Sequence, residues 1–411
     1  MIKRARPARL LALAASLLAV TAVAPAAASA QRLEEFDLPS TLGNVDANSV
    51  VLNRITGLKA TVMLPDGYDQ NPGKKWPVLY LLQGMGDNSE AWAKPSSGDA
   101  TKTAKDFPGI VVMPEAGRGF FMDWWQNGAR SGPNWTRYYL DEVIPTIEKR
   151  YAILPGRQNH YIGGASMGAY GALLLGGQLP SYFGTIISLS AMLDTQGVDV
   201  QQFLPDAMGA PYNTVWGPPT GQYAVVNNPI RTQLNVASSR IYLFSGNGTF
   251  TLSLPWTKDS LTKGVFIEAA VALQNEHYYT LAKNAGMDVK LHVGQGVHDW
   301  PYWERELPKA IDWANSGSPK VTSATGPAKW TYKTMAPHGN AWDFGYTLGQ
   351  PTKAAVTIAR QGNVVSVGGD TGTITLKGGA ADWDASGNGN GKSQCTVTLT
   401  MPAKWTVPSG C

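Results

Sequence analysis

The sequence predicts a mostly parallel α/β sheet with helices on both faces, followed by a small all-β module. Three observations carry this expectation. Between residues 49 and 316, apolar runs of strand length alternate with helical patterns, the rhythm of strands joined by crossover helices. Several of those runs are continuously apolar, as strands covered on both faces must be. After Ser316 helical periodicity stops, and short alternating runs separated by glycine clusters take over, the mark of antiparallel strands and tight turns.

The elements follow in chain order. Lys3, Arg4, Arg6 and Arg9 precede the apolar run Leu10 to Ala24, and Ala28-Ser29-Ala30 offers a small-residue cleavage site. Residues 1–30 therefore read as an export signal, too short in its apolar run for a bilayer span. No cysteine stands directly after it, which argues against lipid attachment there. Loss of those four positive charges would bring the formal +4 of the chain close to neutral, so nothing in the charge balance points to nucleic acid. A mature chain without a transmembrane segment, secreted or held in the cell envelope, is expected.

Strands are expected at Val50–Asn53, Lys59–Leu64, Pro77–Leu82, Ile110–Met113, His160–Gly163, Thr185–Leu189, Ile241–Phe244 and Val289–Val293. Helices are expected at Trp135–Tyr151, Met167–Leu179, Phe266–Ala285 and Tyr302–Ala314. Residues 195–238, rich in Pro, Asn and Gln, interrupt this rhythm and read as an insertion over the top edge of the sheet. The stretch "SGSPKVTSATGP", 316–327, is a polar linker by composition. The expected division is thus a signal at 1–30, an α/β domain at 31–315, the linker, and a β module at 328–411. Strands in that module are expected at Ala355–Ala359, Val364–Val367, Thr373–Leu376 and Thr396–Leu399. The only cysteines, Cys395 and Cys411, are expected to form a disulfide in an oxidising compartment.

Chemistry enters at "IGGASMGAYG". Gly164-Ala165-Ser166-Met167-Gly168 fits G-x-S-x-G, a turn that lifts a serine from a strand onto a helix start, as in α/β-hydrolases. A serine needs a base to take its proton and a carboxylate to orient that base. Among five histidines, only His298 lies in a loop between the last parallel strand and the last helix. Functional groups of such sheets gather at the carboxyl ends of strands, so His298 is the expected base. For the acid, Asp259 and Glu268 both follow the strand "IYLFSGNG"; Glu268 is slightly favoured by its place near a helix start. Asp288 sits at the wrong end of the sheet. An oxyanion hole requires two backbone N–H groups. Met167 after the serine and Met85 in the turn Gln83-Gly84-Met85-Gly86 are the candidates.

These residues carry a family resemblance over 76–314. The stretches "YLLQGMGDNSEAW", "VVMPEAGRGFFMDWW", "GGASMGAYGALLL", "LSAMLD", "LFSGNGT", "GVFIEAAVALQN" and "GVHDWPYW" resemble, in order, the secreted mycolyltransferases of the antigen 85 type and the wider esterase D-like branch of the α/β-hydrolases. The resemblance implies that Glu268, not Asp259, is the acid beside Ser166 and His298. It places the oxyanion amides on Met85 and Met167. It also implies substrate contacts at Gly86, Asp194, Asn275 and Trp300, and needs no cofactor or metal. The implied reaction is acyl transfer from a glycolipid-like ester to a sugar hydroxyl; hydrolysis by water is the alternative. A cell-wall polysaccharide is a further expected partner. One departure stands out: "QGMG" replaces the family's "DGLR", so Gln83 and Gly86 stand where an aspartate and an arginine contact trehalose. The family's disulfide near "DWW" is absent as well.

Two weaker signals remain. "DWDASGNGNGKS", 382–393, superficially resembles a calcium loop but ends in Ser393 where a bidentate glutamate is needed; it reads as a polar hairpin. "FFMDWW", 120–125, reads as core, and with Trp135, Trp300 and Trp303 it could also wall a lipid-accepting cleft. A non-catalytic cell-wall binding protein is the reading from another class, and it would show a degraded triad.

Overall fold

A computed structural model describes residues 31–38, 58–125, 133–250, 260–378 and 395–411. The export signal, the strand expected at Val50–Asn53, the alternative acid Asp259 and the calcium-like segment lie outside the described residues.

Eight strands form the large sheet: β1 (Arg32–Asp37), β2 (Lys59–Leu64), β3 (Val78–Leu82), β4 (Ile110–Pro114), β5 (His160–Ala165), β6 (Thr185–Leu189), β7 (Arg240–Gly246) and β8 (Val289–Gly294). Their spatial order is β1-β2-β4-β3-β5-β6-β7-β8. β1–β2 and β2–β4 are antiparallel, and every pair from β4 to β8 is parallel. β3, β4, β6 and β7 are buried along their whole length, which is why their sequences show no polar alternation. Apolar cores cover both faces of the sheet.

The expected helix over 135–151 is α-helical at Trp135–Tyr138 and Ile144–Arg150, with one π turn at Tyr139–Val143 between them. Helices at Met167–Gln178, Val265–Asn284 and Trp300–Asn315 follow β5, β7 and β8. The 195–238 segment holds short helices, among them Val198–Met208, Tyr212–Trp216 and Gln222–Val226. The aromatic run is core. Phe120, Phe121, Met122, Trp124 and Trp135 are buried, packed around Tyr139, Tyr170 and Trp216, so these residues do not wall a cleft.

Beyond the large sheet lie two antiparallel four-stranded sheets. β9 (Lys329–Thr334), β12 (Val356–Gln361), β13 (Val364–Gly368) and β16 (Ala403–Thr406) make one; β10 (His338–Ala341), β11 (Phe344–Leu348), β14 (Thr373–Lys377) and β15 (Thr396–Thr400) make the other. They share a core of Trp330, Tyr332, Phe344, Tyr346 and aliphatic neighbours. Cys395 and Cys411 are bonded across a sequence separation of 16 residues, a closure that contributes about 3 kcal/mol to so small a unit. Arg157, almost fully buried, donates to the carbonyl oxygens of Pro180, Phe183, Ser238 and Val321, and so ties the 316–327 segment to the α/β body.

Candidate active site

Ser166 stands at the carboxyl end of β5, at the step into the helix Met167–Gln178, with φ 55° and ψ −117°. This positive-φ geometry is strained for a residue with a Cβ, and the neighbouring glycines make it possible. A Cβ on Gly164 would lie 2.5 Å from Leu82 O, and one on Gly168 would lie 2.2 Å from the same oxygen. The turn is therefore pressed against β3 so closely that no side chain fits at either position.

His298 lies in the loop between β8 and the helix Trp300–Asn315. Its N–H donates to Gly264 O at 3.0 Å, while Asp299 caps that helix by accepting from Trp300 N at 2.8 Å. Held on both sides, the imidazole places Nε2 2.7 Å from Ser166 Oγ. Its Nδ1 meets Glu268 Oε2, also at 2.7 Å. Glu268, in the first turn of Val265–Asn284, is fully buried. Its Oε1 accepts from Gly246 N at 2.5 Å and Ser190 Oγ at 2.7 Å. One oxygen anchors the carboxylate and the other faces the imidazole.

Sequence reasoning missed the groups that fix this line. Ser190 also accepts from the Trp303 indole N–H at 3.0 Å, and the Trp303 ring meets the His298 ring edge-on at 5.1 Å. Ser190 directly follows β6, so its place at a strand's carboxyl end was the one available signal. The other histidines lie elsewhere. His160 is buried, stacks on Tyr182 and bonds Leu154 O; burial pushes its pKa down to about 4. His292 pairs with Glu306, and His338 lies by Asp141.

Met167 opens its helix, where first-turn N–H groups have no intrahelical acceptor. Gly84, next to Met85, abuts the nucleophile: a Cβ there would lie 3.9 Å from Ser166 Cβ. Gly84, the residue before Met85, thus lies beside Ser166.

The expected substrate contacts fare less evenly. Trp300 is partly exposed and packs edge-on against Trp92 and Trp303. Asn275 is fully buried, and its amide donates to Ala191 O and Val271 O. It braces the loop after β6, which corrects the expectation that it touches substrate. Asp194 accepts from Asn228 Nδ2 at 2.7 Å and Gln196 N at 3.2 Å, so its carboxylate shapes the insertion. Gly86 has φ 88° and can contribute only backbone. Gln83 is buried and donates to Glu115 Oε1 at 2.9 Å, turned into the protein.

A family profile described as "Putative esterase" matches residues 53–314. An esterase of Mycobacterium tuberculosis is 29% identical over 250 residues, covering 58% of this chain and 51% of its own length. The diacylglycerol acyltransferase/mycolyltransferase Ag85C of Mycobacterium avium is 27% identical over 209 residues, covering 48% of this chain and 58% of its own. The chain thus spans little more than half the length of these relatives. In fold it is similar to MPT51 of Mycobacterium tuberculosis, with TM-score 0.52 at 20% identity, covering 70% of this chain and 98% of that one. It is likewise similar to the fluorophosphonate-binding serine hydrolase F of Staphylococcus aureus, with TM-score 0.54 at 17% identity over 70% and 99%.

Proposed function

The chain belongs to the esterase family, and from that premise we propose that it is an exported serine acyltransferase. It would carry an acyl chain on Ser166 from a glycolipid-like ester to a sugar hydroxyl, with water as the competing acceptor. The observation that supports this reading best is the unbroken line Glu268–His298–Ser166, both links at 2.7 Å.

The chemistry follows from the line. Ser166 Oγ attacks the ester carbonyl carbon as its proton passes to His298 Nε2. The carbonyl oxygen gains negative charge and is met by the amides of Met85 and Met167. Glu268 balances the imidazolium. Collapse expels the donor's alcohol, which takes the proton from His298, and leaves acyl-Ser166. An acceptor hydroxyl then gives its proton to His298 and repeats the steps in reverse order.

A second reading, carboxylesterase, is favoured by Gln83 and Gly86. In the mycolyltransferases this chain resembles, a charged pair at these positions contacts the sugar; here one side chain is engaged with Glu115 and the other is absent. Two charged hydrogen bonds, each worth about 1.5–3 kcal/mol, are thereby missing from acceptor capture. The test is the fate of a labelled short-chain acyl-trehalose, with and without excess free sugar. Free acid together with re-acylated sugar, the latter rising with sugar concentration, is expected. Free acid alone at every sugar concentration would replace transfer by hydrolysis. No turnover at all would contradict both. Export and a cell-wall polysaccharide partner belong to the same proposal, supported by the signal-like N-terminus and the disulfide.

A further inference from the structure

Asp87 closes the turn that carries Met85. Its N–H donates to Gly84 O at 3.4 Å, and Gly86 between them has φ 88°, the pattern of a type II turn with glycine at its third position. The carboxylate folds back over that turn. A Cβ on Gly84 would lie 3.0 Å from Asp87 Oδ2 on one side and 3.9 Å from Ser166 Cβ on the other. The Trp300 side chain approaches the same carboxyl and draws its pKa down. Trp300 lies two residues past His298 and packs at 5.3 Å on Trp303, the ring set edge-on against His298. One carboxyl therefore joins the turn offering the Met85 amide to the helix start behind His298.

Several charges face it. Glu115, at the end of β4, is buried and spends its oxygens on Gln83, Ser89, Ala116 and Gly117. Lys94 is half-exposed and paired with Glu90 at 2.5 Å. His298, with Glu268 behind it, lies beyond the Trp300–Trp303 pair. Burial raises the Asp87 carboxyl to about 7; Trp300 and Lys94 pull it down, and Glu115 pushes it further up.

We propose that Asp87 is a positioning residue for the Met85 turn, whose neutral form permits the oxyanion and whose ionised form opposes it. Either form leaves the backbone bond from Asp87 N to Gly84 O in place, so the turn keeps its position while its charge changes. Ionisation puts a like charge beside the position where negative charge develops, in a partly buried setting where such repulsion is weakly screened. The inference rests on the proposed reaction only in requiring an oxyanion at this turn.

The test is the rate of Ser166 phosphonylation by a fluorophosphonate from pH 5 to 9.5. Here Oγ attacks phosphorus, fluoride leaves, and charge develops on the phosphoryl oxygen. The wild-type rate should fall about tenfold above pH 7. Asp87→Asn, which keeps the side chain's shape and cannot ionise, should lose the fall. Asp87→Ala, which removes the group packed over the turn, should be slower at every pH and show no fall. Should the Asp87 variants not fold, as judged by circular dichroism, Lys94→Met decides: removing the cation should move the fall to higher pH. A wild type without an alkaline fall, a fall that persists in Asp87→Asn, or one unmoved in Lys94→Met would overturn the inference. Absence of labelling at every pH would instead overturn the proposed acyl-enzyme.

Discussion

Ser166 is held where an L-residue sits at a cost of about 1–3 kcal/mol, and the return is an Oγ presented directly to His298 Nε2. Glu268 completes the line with both oxygens committed to donors, Oε1 to Gly246 N and Ser190 Oγ, Oε2 to His298 Nδ1. A glutamine has one oxygen and one amide, so Glu268→Gln must set N–H against N–H on one side and cannot balance an imidazolium. Turnover should fall roughly 10³- to 10⁴-fold, with KM little changed, in steady-state assays on a p-nitrophenyl ester. Asp259→Asn should stay within a few-fold of wild type; equal losses would reverse the assignment of the acid. Ser166 and His298 were legible because a motif and a unique loop position single them out. Glu268 was not separable from Asp259 on residues alone, since burial and the Ser190 and Gly246 contacts appear only in three dimensions. Asn275 was misread for the same reason: an amide at a helical spacing from the acid can face the cleft or the neighbouring loop, and here it faces the loop.

At the scale of elements, the site depends on how closely the step from β5 into its helix presses on β3. Gly168→Ala would set a Cβ against the Leu82 carbonyl, backbone that cannot rotate away. Overpacking of that kind costs about 3 kcal/mol, read as a lower thermal midpoint together with slower fluorophosphonate labelling. Gly73→Ala, whose Cβ would meet nothing within 4 Å, should change neither; equal effects of the two would detach the turn from catalysis. The strands covered on both faces were legible as apolar runs. β1 was missed because "RLEEFD" lies at the sheet's edge, mostly exposed, and its charges serve ion pairs such as Lys59–Glu35 and Arg32–Glu34. The helices of 195–238 span 4 to 11 residues, too short for a 3.6-residue period to declare itself. In the β module, β9, β10, β11 and β16 were missed where aromatic, glycine and charged residues break simple alternation.

For the whole molecule, one attachment of the antiparallel sheets lies far from the chemistry. Tyr332 donates to Gln178 O at 3.3 Å, and Asn235 and Lys333 exchange hydrogen bonds at 2.9 Å. Gln178 ends the 12-residue helix that Ser166 begins, so this contact lies roughly 18 Å from the nucleophile at 1.5 Å per residue. A second attachment runs through Arg137, which donates to His338 O at 3.2 Å, while Ser166, His298 and the Met85 turn all belong to the α/β fold. The proposed reaction turns on one covalent event in that fold. Acid-quenching the protein during turnover of a short-chain p-nitrophenyl ester and sequencing its peptides by mass spectrometry should find one acyl group, on Ser166, and none in a folded Ser166→Ala variant. An acyl group on another residue, or turnover that persists in Ser166→Ala, would contradict it.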